Sequence, residues 1–246
     1  MTDTNATART AGDPAPHDFD HSHADVSGGW LRAATFGAMD GLVTNTSLIA
    51  GVGGAGVSSH TVVLSGIAGL VAGAFSMALG EFTSVSTQNE QIDAEVNVEK
   101  AAFANHPEAE RAELVTMLTD MGMSDGTAET AATEIHADSD RAVNFHIAQE
   151  LGIDPDEKPS PFVAAGSSFV LFALGAIVPL LPYLLGFASL TAGLACGAAG
   201  LVVAGALAAH YTSQSTLVGA ARQLAFGAVA VAATYGVGAL IGVGIA

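Results

Sequence analysis

The chain has 246 residues, 50% of them hydrophobic, with only 7 Lys and Arg against 24 Asp and Glu and a formal net charge of −17. Seventeen of those acids lie between Glu90 and Glu157, which excludes a soluble acidic protein with its acids scattered along the chain. The single cysteine, Cys196, excludes an internal disulfide framework and a cysteine zinc site within one chain. We therefore expect an all-α polytopic membrane protein with one acidic helical segment in water.

The N-terminal residues 1–29 are predicted to form a disordered cytoplasmic tail. They are rich in Asp, His, Thr, Pro and Gly and lack the apolar stretch of a signal peptide. The histidines of this tail, His17, His21 and His23, could capture metal weakly. A tail without such a role is the other interpretation.

Five apolar stretches follow, each close to the roughly 20 residues that a membrane-spanning helix needs. They run over Ala33 to Gly53, Thr61 to Phe82, Phe162 to Leu181, Leu184 to Ala209 and Leu224 to Ile245. The chain thus divides into spans 1 and 2 within residues 30–89, an acidic segment over residues 90–158, and spans 3 to 5 within residues 159–246. We predict a tight turn at Pro182 and Tyr183 between spans 3 and 4.

Glycines recur at four-residue spacing inside the spans, a pattern that lets helix backbones approach closely in a membrane. The pairs are Gly69/Gly73, Gly193/Gly197 and Gly238/Gly242. They indicate either packing within one chain or an interface between subunits.

All seven cations fall on one side of a five-span arrangement, whereas the opposite connections, residues 57–60 and 182–183, contain no Lys or Arg. Arg9 and Arg32 precede span 1, and Arg222 lies between spans 4 and 5. This positive-inside pattern predicts that the tail and the acidic segment are cytoplasmic and the C-terminus outside.

The acidic segment, residues 90–158, favours helix and has breaks at Asn105-His106-Pro107, at Gly122 to Gly126 and at Leu151 to Pro155. We therefore predict a three-helix cytoplasmic domain. Its first helix continues directly out of span 2, since no Gly or Pro follows Gly80 there.

Asp40 and Glu81 lie inside apolar spans, where an ionised carboxylate costs about 2.5 to 3.5 kcal/mol unless it is paired, hydrated or protonated. No Lys or Arg lies within those spans, so metal ions, protons or water are the expected partners. Permanently protonated, hydrogen-bonded carboxylates are the alternative. Polar residues 44–47 follow Asp40 and give span 1 a polar middle in which the helix could unwind.

Met77 lies one helical turn before Glu81 and begins a polar stripe on one face of a continuous helix. The stripe contains Met77, Glu81, Ser84, Gln88, Gln91, Glu95 and Glu99. A thioether beside a carboxylate suits a polarisable divalent ion such as Fe²⁺ or Co²⁺, whereas packing is the other interpretation of Met77.

In the acidic segment, acids and one imidazole recur one helical turn apart. The pairs are Glu95/Glu99, Glu110/Glu113 and His146/Glu150. Like charges at this spacing repel unless a cation lies between them, so the pattern indicates exchangeable sites for a divalent metal such as Fe²⁺, Mn²⁺ or Zn²⁺. A solvated charged face is the alternative for each glutamate. The other histidines, His60, His106, His136 and His210, show no ligand pattern.

Several short motifs together resemble the vacuolar iron transporter family, bacterial branch. They run over residues 29–34 and 40–43, 76–82 and 84–86, 107–110, 179–184 and 222–224, and the resemblance covers nearly the whole chain from Gly29 onward. It implies a dimer of five-span subunits that exports Fe²⁺, often also Mn²⁺, from the cytosol in exchange for protons. It further implies that Asp40 and Met77 line the translocation path, and it implies these ligands in a cytoplasmic metal-binding domain: Glu99, Glu110, Glu113 and Glu150.

The leading hypothesis is therefore a proton-coupled exporter of divalent metal, with Asp40, Met77 and Glu81 along the path and a homodimer in the bacterial inner membrane. The metal is the substrate, and we expect no organic cofactor and no nucleic-acid partner. The rival is a membrane-anchored metal buffer or sensor, which has no need of acids at membrane depth. An enzyme is the least favoured interpretation of the sequence, because it contains no nucleophile with its base, no nucleotide loop and no metalloprotease helix motif.

Overall fold

The computed structural model describes residues 29–150, 152 and 158–245, and every regular element within these ranges is helical. The helices are α1 Trp30–Gly54, α2 Ser59–Asn105, α3 Pro107–Asp120, α4 Asp125–Ile135, α5 Ser139–Glu150, α6 Pro161–Ile177, α7 Leu181–Leu184, α8 Leu190–Tyr211 and α9 Thr216–Ile245, with a 3₁₀ turn, Val178–Leu180, between α6 and α7. The predicted disordered tail, and most of the break predicted at Leu151 to Pro155, lie outside the described residues.

Four helical stretches are long and apolar enough to cross a membrane: α2, the run from α6 through α7, α8, and α9. The helix α1 does not reach that apolarity, because Asp40 and the polar residues 44–47 lie in its middle. It packs instead against α2, α6, α8 and α9, and buries Asn45, Thr46 and Ser47 among them. Thus predicted spans 2 to 5 have the composition of a membrane span, whereas predicted span 1, the helix α1, is the central helix of the bundle.

The polar middle of α1 is not unwound, because its polar side chains face neighbouring helices. The amide of Asn45 donates to the carbonyl of Ala176 on α6 at 2.5 Å. Thr46 packs where a Cβ on Gly197 of α8 would collide with it. Glycine on the neighbour therefore makes room for a polar side chain on an intact helix.

Contacts at the two ends of the bundle fix the direction of each helix. The hydroxyl oxygen of Ser167 near the start of α6 lies 3.5 Å from the carbonyl oxygen of Trp30, and Asn89 of α2 donates to the carbonyl of Pro159 at 3.0 Å. At the other end, Gly242 of α9 packs on Ala55, just beyond α1. The start of α1 thus lies at the same end as the acidic segment, and the C-terminal part of α9 lies at the opposite end.

Two predicted boundaries were wrong. Pro182 is not in a turn: it is the second residue of the short helix α7, whose first turn tolerates proline because an N–H there would have no partner within the helix anyway. The turn comes later, at Gly186, whose φ of 89° favours glycine. The last helix, α9, begins at Thr216, so Arg222 lies in its second turn rather than in a connection between two helices.

The glycine pairs pack within this chain. A Cβ added to any of the six would come within 3.0 Å of another helix or its flanking residue. Gly238 lies against the backbone of Gly51 and Gly73 against the ring of Phe172, in both cases too close for a methyl group. The first of the two interpretations is therefore confirmed for these residues.

The acidic segment forms α3, α4 and α5, which pack with the last turns of α2 around two small apolar clusters. One contains Phe103, Ala142, Val143 and Ile147, and the other contains Leu114, Leu118, Ala128 and Ala132. Ile135 contacts both clusters and joins them. As predicted, α2 passes without interruption from its apolar part into this unit.

One break in this unit was not predicted, at residues 136–138 between α4 and α5. No Gly or Pro marks it. Asp138 supplies the signal, because its carboxylate accepts from the backbone N–H of Arg141 at 3.0 Å and so caps the start of α5. The break places His136 at the end of α4, facing α5.

Candidate metal centre

Three carboxylates from three helices surround the imidazole of His146, which is completely buried on α5. The Nδ1 atom of His146 lies 3.4 Å from Oε1 of Glu99 on α2, 3.8 Å from Oε2 of Glu110 on α3 and 3.6 Å from Oε1 of Glu150 on α5 itself. Neither Nδ1 of His146 nor Oε1 of Glu99 has a hydrogen-bond partner in the described part of the chain, although both are buried. The cluster thus presents buried polar atoms that have no protein partner to satisfy them.

Burial and mutual repulsion set the charges in this cluster. Burial, followed by the charges of Glu150, Glu110 and Glu113, raises the pKa of Glu99 to about 7. Burial, followed by Glu113, also raises the pKa of Glu150. Burial, and after it crowding by acids, therefore makes the anionic forms of Glu99 and Glu150 unfavourable unless a cation is added.

Burial lowers the pKa of the His146 imidazole, even though Glu110 and Glu113 act in the opposite direction, and so favours the neutral ring at pH 7. Its contacts with the carboxylates are consequently not ion pairs. A neutral imidazole nitrogen beside carboxylate oxygens is the donor set that divalent transition metals accept.

The distances fit one ion with little adjustment. Ligand atoms from Glu99, Glu110 and His146 all lie within 4.8 Å of one another. Ligands at about 2.1 Å from one ion lie roughly 3.4 Å apart in a tetrahedral site. A small inward movement of the glutamates would close the site around a metal.

The structure separates the predicted metal ligands of the acidic segment into three groups. Glu99, Glu110, His146 and Glu150 meet, as described. Glu113 lies on the exposed next turn of α3, and its charge reaches the cluster. Glu95 is exposed one turn before Glu99 and lies outside the cluster, as a solvated charged face does.

His136 is a neighbour of the cluster that no sequence pattern predicts. Its Nε2 lies 3.3 Å from Nε2 of His146, on the side of the ring away from the carboxylates. Burial, together with His146 and Arg111, lowers its pKa. No spacing rule links two histidines ten residues apart across an unrecognised helix break.

In the membrane part, Asp40 and Met77 lie on two helices that meet the same turn of α6. Asp40 is half-buried and accepts a hydrogen bond from the hydroxyl of Thr44 at 3.1 Å. Gly41, next to it, lies too close to the backbone of Phe172 for a Cβ. Met77 is half-buried and packs against the apolar cluster that includes Phe172.

Glu81 does have a cationic neighbour, contrary to the expectation from sequence. Nη2 of Arg32 lies 2.8 Å from its Oε2, and the Glu81 side chain is only 8% exposed. Arg32 lies in the first turn of α1 rather than before it, which brings its guanidinium beside α2. The carboxylate therefore already has a counter-ion within the chain.

Comparison with known proteins gives a consistent relationship. A family model described as the VIT family matches residues 31–239. The chain is 33% identical over 232 residues to "Vacuolar iron transporter" of Acanthamoeba castellanii, covering 92% of this chain and 84% of the relative. It is 30% identical over 216 residues to "Vacuolar iron transporter 1" of Arabidopsis thaliana, covering 85% of each. It is 34% identical over 219 residues to "Vacuolar iron transporter homolog 1" of Oryza sativa, covering 87% and 74%.

Proposed function

This integral membrane chain belongs to the VIT family, and from that premise we propose that it exports a divalent transition metal, Fe²⁺ or Mn²⁺, from the cytosol in exchange for protons. The names of its relatives support iron as a substrate. The proposal of manganese as a second substrate depends on the oxygen-rich set of ligands, which suits harder ions as well. The observation that carries the proposal is the convergence of three carboxylates on the neutral Nδ1 of His146.

In this proposal the cluster around His146 collects metal from the cytosol. Glu99, Glu110, Glu150 and His146 are its ligands, and Glu113 adds negative charge at the entrance. Because the pKa values of Glu99 and Glu150 are raised, protons can neutralise these acids when metal is absent, and metal displaces the protons when it is present. The site therefore loads and unloads reversibly.

The helix α2 joins the collecting site to the membrane part. Met77 and Glu99 lie on this one helix, 22 residues and therefore about 33 Å apart. Asp40 and Met77 would receive the ion there, an oxygen and a sulfur ligand suited to Fe²⁺. In this structure Met77 packs against the apolar cluster that includes Phe172, so its role as a ligand stays a prediction.

Glu81 is proposed as an intermediate position along the path. Its carboxylate would have to exchange Arg32 for the metal, so the guanidinium serves as its counter-ion between transport events. A divalent ion can displace the monovalent guanidinium at a carboxylate because it carries twice the charge.

Proton coupling follows from competition at Asp40. An anion at membrane depth is costly, and either a proton or a divalent ion can compensate the charge of the Asp40 carboxylate. Protons entering from outside would displace the metal, and metal arriving from the cytosol would displace protons. Antiport of this kind needs no nucleotide.

We further propose five membrane spans, with α1 as the first, and a homodimer in a bacterial inner membrane, within the bacterial branch of the family. The acidic unit and the N-terminus would be cytosolic and the C-terminus outside. The placement of the seven cations supports this orientation, since a cytosolic excess of Lys and Arg is the general rule for membrane proteins.

The test is metal and proton flux in proteoliposomes that contain the full chain. Asp40→Asn removes the charge with little change of shape, so coupled flux should stop while metal binding to the His146 cluster survives. Asp120→Asn, at an exposed acid at the end of α3, is the matched control and should transport as the unmodified protein does. Wild-type rates in Asp40→Asn would disprove the mechanism, and binding without any flux in the unmodified protein would favour a buffer or sensor.

A further inference from the structure

We propose that His136 is a positioning residue for metal capture: its Nε2 accepts the Nε2–H of His146 and thereby holds the tautomer whose Nδ1 can bind metal. The proposal rests on the metal site of the proposed function. It concerns a histidine that contacts no carboxylate of the cluster in the described part of the chain.

The geometry of the two rings requires one shared proton. The Nε2 atoms of His136 and His146 lie 3.3 Å apart, so one must donate to the other. A neutral imidazole carries a single N–H. Fixing the donor on one ring therefore fixes the tautomer of both.

The carboxylates decide which direction serves metal binding. Nδ1 of His146 faces Glu99, Glu110 and Glu150, and it can coordinate a metal only as an unprotonated nitrogen. The proton of the neutral ring then lies on Nε2, pointing at His136. His136 must accept it and carry its own proton on Nδ1. Metal-binding histidines generally have such an acceptor behind them, and it fixes the orientation of the ring.

Phe103 of α2 holds both imidazoles in place. Its ring stacks on His136 with a centroid distance of 4.9 Å and an interplanar angle of 24°, and meets His146 edge-on at 4.9 Å and 83°. Because one aromatic ring contacts both, neither imidazole can rotate without losing apolar contact. The position of His136 at the end of α4 directs its Nε2 at α5.

Two substitutions distinguish positioning from packing. His136→Phe preserves an aromatic ring that can stack on Phe103 but removes the acceptor, whereas His136→Gln loses the ring and retains an acceptor oxygen. If His136 only packs, the Phe variant should bind metal normally and the Gln variant should be the weaker one. If it positions His146, the order is reversed.

The experiment measures Zn²⁺ binding by calorimetry on the full chain in detergent, with thermal unfolding to verify that each variant is folded. We expect His136→Phe to weaken binding about 10- to 100-fold and His136→Gln to bind within a few-fold of the unmodified protein. His106→Phe, at an exposed histidine, is the control and should have no effect. Equal weakening by both variants, or normal binding by His136→Phe, would overturn the proposal.

A spectroscopic readout tests the tautomer directly. In the Zn²⁺-loaded protein labelled with ¹⁵N-histidine, His146 should show its proton on Nε2, assigned with His146→Ala. A proton on Nδ1 of His146 in the loaded state would refute the proposal. Failure of the unmodified protein to bind Zn²⁺ would reject the metal site and this proposal together, whereas normal binding with an unaltered Phe variant rejects only the role of His136.

Discussion

Arg32 and Glu81 form an ion pair, with Nη2 and Oε2 2.8 Å apart, in which only one partner is exposed to solvent. The arginine side chain is 63% exposed, whereas the glutamate side chain is 8% exposed. The two charges therefore differ in what they lose when the pair is broken. Arg32 can return to water, but Glu81 cannot. The pair joins the first turn of α1 to the part of α2 where the apolar stretch ends.

Removing the arginine should cost more than removing the glutamate charge. We expect Arg32→Gln to destabilise the protein by about 1–2 kcal/mol, between the values for exposed and buried pairs, because it leaves a buried carboxylate without a counter-ion. Glu81→Gln should cost less. Thermal unfolding in detergent gives the order, and Arg111→Gln, which breaks the exposed pair with Glu108, serves as the control with little effect. The reverse order would mean that Glu81 is held by groups other than Arg32.

Glutamates inside and outside the cluster should differ in metal binding. Glu110→Gln replaces a buried ligand and is expected to weaken Mn²⁺ or Zn²⁺ binding by at least about tenfold, which corresponds to ~1.4 kcal/mol. Glu95→Gln changes an exposed acid and should bind within about twofold. Calorimetry on the full chain measures both. Similar losses in the two variants would indicate that total charge, rather than the cluster, attracts the metal.

Metal affinity should rise with pH up to about 7 and level off above it. The raised pKa of Glu99, about 7, means that a proton occupies this ligand below neutrality and must be displaced by the metal. The affinity should fall by up to about tenfold per pH unit below 7. Binding isotherms from pH 5.5 to 8.5 measure this slope. Glu99→Gln should have a flatter profile, and an equally steep one would assign the proton to another group.

The same pKa predicts how the stability of the metal-free protein depends on pH. Between the ordinary value of 4.5 and about 7, the unfolded chain releases the Glu99 proton while the folded chain keeps it. The free energy of unfolding contributed by this group therefore decreases as pH rises through that range and is constant above it. Thermal unfolding without metal, compared with Glu99→Gln, isolates this contribution.

Close helix packing makes a sharp contrast between two neighbouring glycines of α9. A methyl group at Gly238 would overlap the backbone of Gly51, whereas Gly236 has nothing within 4 Å of an added Cβ. Gly238→Ala should cost about 1–3 kcal/mol, as expected of overpacking, and Gly236→Ala should be nearly neutral. Thermal unfolding compares them. Equal melting temperatures would show that α9 can move away from α1 without loss.

The features predicted from sequence are those that depend on local spacing. The polar stripe, the continuity of α2 and the one-turn pair His146/Glu150 all follow from helical periodicity, and the structure shows the last two directly. The meeting of Glu99 with Glu110 and His146 joins three helices, and no spacing along the chain encodes it. Acidic pairs such as Glu95/Glu99 predicted metal ligands, but only the tertiary packing shows that one member faces inward and the other faces solvent.

The wrong predictions share one physical cause: each depends on a tertiary or capping partner that a single residue type does not reveal. Pro182 suggested a turn, although proline is equally suited to begin a helix. Arg32 is predicted to precede span 1, although its place in the first turn of α1 and its long side chain bring it to Glu81. No spacing pattern links His136 to His146, because the break between their helices is marked only by the capping residue Asp138 and by no Gly or Pro.

The uninterrupted course of α2 has a mechanical consequence. No Gly or Pro follows Gly80 in this helix of 47 residues, so it contains no hinge between the membrane and the metal cluster. A tilt of roughly 6° about Gly80 would displace Glu99 by about 3 Å over the ~28 Å between them. If the carboxylates close around an ion, we expect this stiff helix to carry part of that displacement toward the membrane part, so that occupancy of the metal cluster would alter the packing beside Asp40.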